Sequence, residues 1–452
     1  MAERIFDADP ELHAEAEAER EKHLQANVTR DDFYAYMPTH TYLFVPTREL
    51  WPAASVNARL PSVLVDTDKD GNPIYIPASR WLDQNRPVEQ MTWAPGLPLI
   101  VKDRLITEGG WREYKGVACF NLYLPPALPQ GDAGKAGPWL DHVRRIYPDN
   151  AEHILDWAAH RVQHPEEKTN HALILSGPPG IGKDTLLEPV KRAIGPWNFR
   201  EASPPQVLGR FNGFLKAVIL RISEIKDLGE SDRYAFYEHM KAYTAAPPDV
   251  LRCDEKNIRE HAILNVCGVV YTTNYKAEGL YLPADDRRHY VAWSTSKKEN
   301  FEPAYWTKLW GFLDNGGDRH VAAYLAQHDL SRFEPKTPPP LTDAFWDIVN
   351  AHRPAESAEM ADTLEVLGSP DAVTLEMIVT CYATSTSFAD WLKDRKNRAK
   401  IPHRFEECGY TPVHNPDAPA DGYWRINGKR QTVYSPSKYS PRERFNAAEK
   451  LR

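Results

Sequence analysis

The chain has 452 residues, 42% of them hydrophobic and 26% charged, with a formal net charge of −8. Such a composition is ordinary for a water-soluble globular protein, and the length supports two or three domains, each with its own core. No apolar run reaches a membrane span, no signal-peptide pattern opens the chain, and five scattered cysteines show no disulfide or zinc-binding spacing, so a cytoplasmic protein is expected.

In chain order, residues 1–30 form an acidic, alanine-rich arm carrying Glu11, Glu15, Glu17, Glu19 and Glu21. Residues 31–138 are expected to be a β-rich domain. Runs such as Thr41–Val45 and Cys119–Leu124 stand between Pro and Gly punctuation. Asp66–Asn72 superficially resembles a calcium loop but has no distal glutamate at the required offset, so a hairpin turn ending in Asp70-Gly71 is expected. From Trp139 to Val162 apolar residues recur at helical spacing broken at Pro148, which predicts two helices ahead of the next segment.

That segment is the most informative. Ala172–Leu175 is a short apolar run, Gly177–Thr185 reads GPPGIGKDT, and Leu186–Val190 begins like a helix. Strand, glycine-rich loop, lysine and helix make a phosphate-cradling P-loop. Gly177, Pro178, Pro179, Gly180, Ile181 and Gly182 would wrap a nucleotide triphosphate, the glycines letting backbone N–H groups turn inward. Lys183 would reach the terminal phosphates at the positive end of the helix. ATP and Mg²⁺ are the expected cofactors. Asp184 stands where a Ser or Thr usually holds the metal, with a hydroxyl one place later at Thr185. Either residue could ligate Mg²⁺, or the site could bind ATP and turn it over poorly.

Downstream, Ala217–Glu224 is a buried-type strand ending in an acid, and Glu224 is the choice for activating water and lying beside the metal. Ser223 precedes it where an acid often stands, a loss for which Asp184 could compensate. A strand from Val266 ends in Asn274, placed to bond the γ-phosphate or the attacking water. Arg287 and Arg288 follow Asp285-Asp286, and one of them suits an arginine finger donated to a neighbouring subunit.

This order of P-loop, acid-ended strand, basic segment, Asn-ended strand and arginine pair resembles the superfamily-three helicases of viruses, phages and plasmids, a branch of the AAA+ ATPases. More narrowly it is similar to the helicase module of phage and prophage primase-helicase proteins. The resemblance implies an α/β fold with a P-loop parallel-sheet ATPase core over residues 139–333, working as a ring, expected to be a hexamer, on single-stranded DNA. It implies a channel hairpin at Val250–Arg259 in which Lys256, then Arg252 and Arg259, touch the DNA backbone. The segment before residue 139 is too short for the primase-polymerase domain of larger members, so a separate primase or polymerase would be a partner.

Residues 334–341, within FEPKTPPPL, read as a stiff linker, and residues 342–452 as a basic domain. From Trp391 to Arg452 there are 14 Lys and Arg against 7 Asp and Glu. The resemblance makes this a small winged-helix-like tail, with a helix ending near Tyr410 and a wing turning at Asn427-Gly428. Lys429 and Arg430 would then lie on phosphate, and origin DNA would be a second partner. The competing functional class is an ATP-gated DNA-binding protein that assembles replication factors without unwinding.

Overall fold

The computed structural model describes residues 28–127, 130–223, 230–275, 280–351, 355–418 and 421–452. They divide into two compact units, one ending at Val349 and one running from Asn350 to Arg452. Of the acidic arm, residues 1–27 lie outside the described residues.

The first unit opens with two small sheets. Antiparallel strands Glu49–Pro52, Thr41–Phe44 and Phe33–Tyr36 are joined by Pro87–Val88, and Gln90–Thr92 and Ile100–Thr107 flank the long strand Gly110–Asn121. Phe33, Phe44 and Trp51 pack in tilted and edge-on contacts at 5.0–5.4 Å to form the first sheet's aromatic centre. Two short helices, Ala53–Arg59 and Ala78–Asn85, close over it and were not legible in the irregular sequence. The Asp66–Asn72 segment is a hairpin turn whose Asp68 carboxylate accepts from the amides of Asp70 and Asn72.

The larger core is a five-stranded parallel sheet. Its spatial order is Phe199–Ala202, Ile219–Ser223, Gly268–Thr273, Ala172–Ser176, His289–Trp293. The three central strands are mostly apolar and largely buried, as a sheet covered on both faces requires. Helices Gly137–Ile146 and Ala151–Gln163 break at Pro148 as expected. Trp139 and Trp157, both fully buried, anchor them: the Trp139 indole donates to the Leu186 carbonyl at 2.9 Å and the Trp157 indole to the His171 carbonyl at 3.2 Å.

The proline-rich segment is less of a boundary than its composition suggests. Phe333 packs against the rings of His153, His160 and His171. Helix Asp343–Ala351, assigned from sequence to the C-terminal domain, buries Ala344, Phe345 and Ile348 in the first unit's core.

In the second unit, helices Ala355–Val366, Leu375–Thr380, Thr386–Lys393 and Ile401–Glu407 surround a three-stranded sheet of Val373–Thr374, Val433–Pro436 and Tyr410–Val413. A hairpin, Trp424–Ile426 with Lys429–Gln431, turns at Asn427 and Gly428, both at positive φ. Phe405 stacks on Tyr434 at 3.9 Å to centre the core, and Trp424 is buried in a second cluster.

Candidate functional site

The site lies where the P-loop strand Ala172–Ser176 leaves the C-terminal edge of the sheet, between strands on both sides, the usual position for a ligand crevice in an open parallel sheet. Gly177 sits at φ 153°, where a Cβ would fall 2.8 Å from the Ser294 side chain. Gly182 sits at φ 91°, and a Cβ there would fall 2.6 Å from both the His142 ring and Trp306. The loop is therefore clamped from behind, with the His142 ring against the Gly182 carbonyl at 3.0 Å and the Tyr305 hydroxyl at 2.7 Å.

Helix Lys183–Ala193 starts immediately after Gly182 with no side-chain cap. The amides of its first turn have no partners within the helix, which makes this end an acceptor site for an anion. Lys183 folds back under the loop. Its Nζ donates to the Gly177 carbonyl at 2.7 Å, the Pro178 carbonyl at 3.0 Å and Asn274 Oδ1 at 2.8 Å. Burial holds its pKa down to about 8, opposed in part by the Asp184 charge and reinforced by Arg221. A buried ammonium facing carbonyl and amide oxygens is a poorly neutralised cation, and an arriving polyanion would supply what it lacks.

A cleft of about 620 Å³ opens over these groups, lined by the loop together with Thr185, Arg221, Ser223, Thr272, Asn274 and Trp306. Parallel register explains the convergence. Ser176 pairs with Thr273 and Thr272 with Ser223, so three strand ends meet at one level. Asn274 is thus brought to Lys183, Asp184 and Thr185, although some ninety residues on in the chain. Glu224, the water-activating candidate, lies outside the described residues.

Arg221 was passed over in the sequence, where it reads as one interior residue of an apolar strand. Its guanidinium pairs with Asp184 Oδ1, donates to Thr272 Oγ1 at 3.1 Å and stands 3.9 Å from Glu201. The Asp184 carboxylate therefore already has a strong partner, whereas Thr185 is buried with its hydroxyl position at the cleft wall. Only the strand register, which no local pattern reveals, brings Arg221 to the first turn of the helix.

Arg287 and Arg288 are not at this site. They precede His289, which pairs with Ala172 at the opposite end of the P-loop strand from Ser176. At about 3.3 Å per residue the two ends are roughly 13 Å apart. The arginines line a separate cleft with Tyr234, Tyr237, Lys241 and Tyr281. Arg288 does not form the surface pair with Asp286 that adjacency suggests. The Asp286 carboxylate is buried and takes the Tyr237 hydroxyl at 2.8 Å, the Arg288 backbone amide at 2.9 Å and the His289 ring at 3.1 Å.

Of the expected DNA contacts, Val250–Glu255 and Ile258–Leu264 do form a hairpin, turning at Lys256 and Asn257, the latter at φ 64°. Lys256 and Arg259 are exposed and make no ion pair among the described residues. Arg252 is committed elsewhere, to Glu260 at 2.6 Å and Glu108 at 3.1 Å. In the second unit Lys429 pairs with Glu376 at 2.5 Å and Arg430 with Asp421. No described helix is long and apolar enough to cross a membrane.

Residues 175–288 match a family model described as a family of unknown function, DUF5906. No curated protein matches the sequence. The apo structure of the NrS-1 C-terminal region (305–718) is similar at TM-score 0.57 and 13% identity, covering 89% of this chain and 95% of that one. An A-form apo structure of the same region gives 0.56 and 14%, over 89% and 96%. The X-ray structure of JCV helicase aligns at only 0.28 and 10%, over 52% and 65%, and no functional reading rests on it. The chain shares the fold of the NrS-1 C-terminal region over nearly its whole described length, with the P-loop crevice on the sheet edge.

Proposed function

We propose that this chain is an ATP-dependent translocase on single-stranded DNA, acting as a ring in phage-type DNA replication. The observation that carries this reading is the junction of Lys183, the uncapped helix start and Asn274 in one cleft. The amides of Gly180 to Thr185 and the Lys183 ammonium would hold the phosphates of ATP, and Thr185 or Asp184 would hold Mg²⁺. The bound metal supplies charge neutralisation at the phosphoryl oxygens. Glu224 is the residue for water activation, and Asn274, released from Lys183 when the phosphates take the lysine, is free to orient that water.

Arg287 and Arg288 fit a finger that completes the site of a neighbouring subunit, because they stand at the far end of the sheet from their own P-loop. The exposed Lys256 at the hairpin tip is the residue for gripping a DNA backbone, with Arg259 beside it. The helix and wing of the second unit offer a double-stranded DNA contact, for which Arg395, Arg398 and Arg425 are better placed than the paired Lys429 and Arg430. A second reading, an ATP-gated assembly protein with negligible turnover, is favoured by the Asp184–Arg221 pair, which occupies the carboxylate nearest the metal position.

ATP hydrolysis measured with and without single-stranded DNA separates them. The translocase hydrolyses ATP faster on DNA. Lys183→Ala removes the phosphate clamp and should lower turnover at least a hundredfold, whereas Lys256→Ala should keep basal turnover and lose the DNA stimulation. Tight ATP binding without hydrolysis in the wild type would instead establish the assembly protein.

A further inference from the structure

The hairpin Val250–Leu264 carries a feature that nucleotide and DNA chemistry do not use. Cys253 and His261 face each other across its two strands, and Glu255 projects to the same side two residues beyond Cys253. Between the Cys253–His261 and Glu255–Ile258 pairs, Asp254 opposes both Arg259 and Glu260, a bulge that tightens the strand twist there. One ligand atom from each of Cys253, Glu255 and His261 lies within 4.8 Å of the other two. We propose that these three residues form a zinc site just below the tip of the hairpin.

Thiolate, imidazole and carboxylate are zinc's ordinary protein ligands, at about 2.0–2.3 Å, and three of them leave one tetrahedral position for water. The imidazole is already set for this. His261 Nδ1 faces the Arg259 carbonyl at 3.2 Å, while Nε2 is buried with no hydrogen-bond partner among the described residues. A ring that donates one N–H to a carbonyl and turns its other nitrogen into a pocket has the tautomer and orientation that metal-binding histidines show. A buried nitrogen without a partner is otherwise a cost of about 1–3 kcal/mol. His261 is 8% exposed and Cys253 fully buried, so the donors converge on a shielded interior.

The carboxylate is held in place as well. Lys216 Nζ donates to Glu255 Oε2 at 2.5 Å, and Gly213 lies so close that a Cβ there would fall 2.6 Å from Oε1. Asn212 ties this turn to the hairpin, accepting from the Asp254 amide at 2.7 Å and donating to the Arg252 carbonyl at 2.8 Å. Burial and the Glu255 charge push the Cys253 thiol up to about 12, and its Sγ leans on Glu255 Oε2 at 3.8 Å. Zinc binding replaces the S–H bond by S–Zn and sends the proton to solvent, so affinity rises with pH. Lys216 competes with the ion for Glu255.

The test uses the full chain, stripped of metal and titrated with Zn²⁺ against a chromophoric chelator, then loaded with Co²⁺ for its thiolate charge-transfer absorption. One tightly held equivalent and a thiolate–cobalt band are expected in the wild type. Cys253→Ser should abolish the band and His261→Ala should weaken binding at least tenfold, while Cys408→Ser, a cysteine of the second unit, changes neither. Lys216→Ala leaves all three donors in place and should keep the thiolate–cobalt band. Wild-type protein with no thiolate–cobalt band would overturn the site, as would unchanged zinc affinity in folded Cys253→Ser. None of these readouts depends on ATP hydrolysis or DNA.

Discussion

At the scale of single residues, Lys183 shows how burial prepares a charge for a ligand. It is enclosed by two backbone carbonyls and Asn274, with Arg221 as the nearest cation and burial the main reason that its pKa falls to about 8. A polyanion bound against it favours the protonated form, so the complex holds more protons than the free protein once the pH exceeds about 8. Nucleotide affinity should therefore be flat up to that point and fall above it, by up to tenfold per pH unit. Calorimetric titration with ATP at pH 7, 8 and 9 checks this, and a Lys183→Arg variant, charged throughout, should lose the slope. The loop itself was plain in the sequence because its chemistry is local: glycines at positive φ, a lysine and a helix start occupy nine consecutive positions. Arg221 was not, because its partners Asp184 and Thr272 come from other segments and meet it only through register.

At the scale of elements, the five-stranded sheet separates two chemistries at its two ends. The C-terminal edge carries the P-loop cleft, and the N-terminal edge carries the arginine pair and the buried Asp286. Adjacency in sequence suggested a surface pair between Asp286 and an arginine. Instead the strand His289–Trp293 drives the carboxylate inward, where it fastens helix Glu230–Thr244 to the sheet through Tyr237. Burial alone would raise its pKa, but the His289 ring, the Arg288 amide and the Tyr237 hydroxyl together hold it down to about 2. Because its folded value lies below the ordinary 3.8, the ionised carboxylate contributes stability above pH 4 that disappears as the pH falls toward 2. The contribution is on the order of 2 kcal/mol. Asp286→Asn should lower the melting temperature at pH 7 and flatten its fall between pH 4 and 2, measured by calorimetry. A variant that melts like the wild type at pH 7 would mean that the three hydrogen bonds add nothing net.

At the scale of the whole molecule, composition and packing place the division of the chain differently. FEPKTPPPL looks like a linker because prolines stiffen the backbone and remove amide donors, and that part of the reading concerns conformation only. What a segment buries is not visible in its own composition. Phe333 fills a niche among three histidine rings, the Thr342 hydroxyl donates to the Val291 carbonyl at 2.7 Å on the edge strand of the five-stranded sheet, and Phe345 and Ile348 complete its core. The apolar face of helix Asp343–Ala351 thus belongs energetically to the unit that precedes the prolines, and the second unit begins at the helix's last turn, at Asn350, with separate clusters around Phe405 and Trp424. Two truncations distinguish the alternatives. A fragment of residues 28–351 keeps this helix and should melt within a few degrees of the first transition of the full chain. A fragment of residues 28–341 exposes the surface that Phe345 and Ile348 cover, and loss of a buried Phe alone costs about 3–5 kcal/mol. It should melt markedly lower and aggregate on heating, and adding back the substitution pair Phe345→Ala and Ile348→Ala in the longer fragment should reproduce much of that loss. Equal stability of the two fragments would place the boundary at the prolines after all and leave the helix as a passenger.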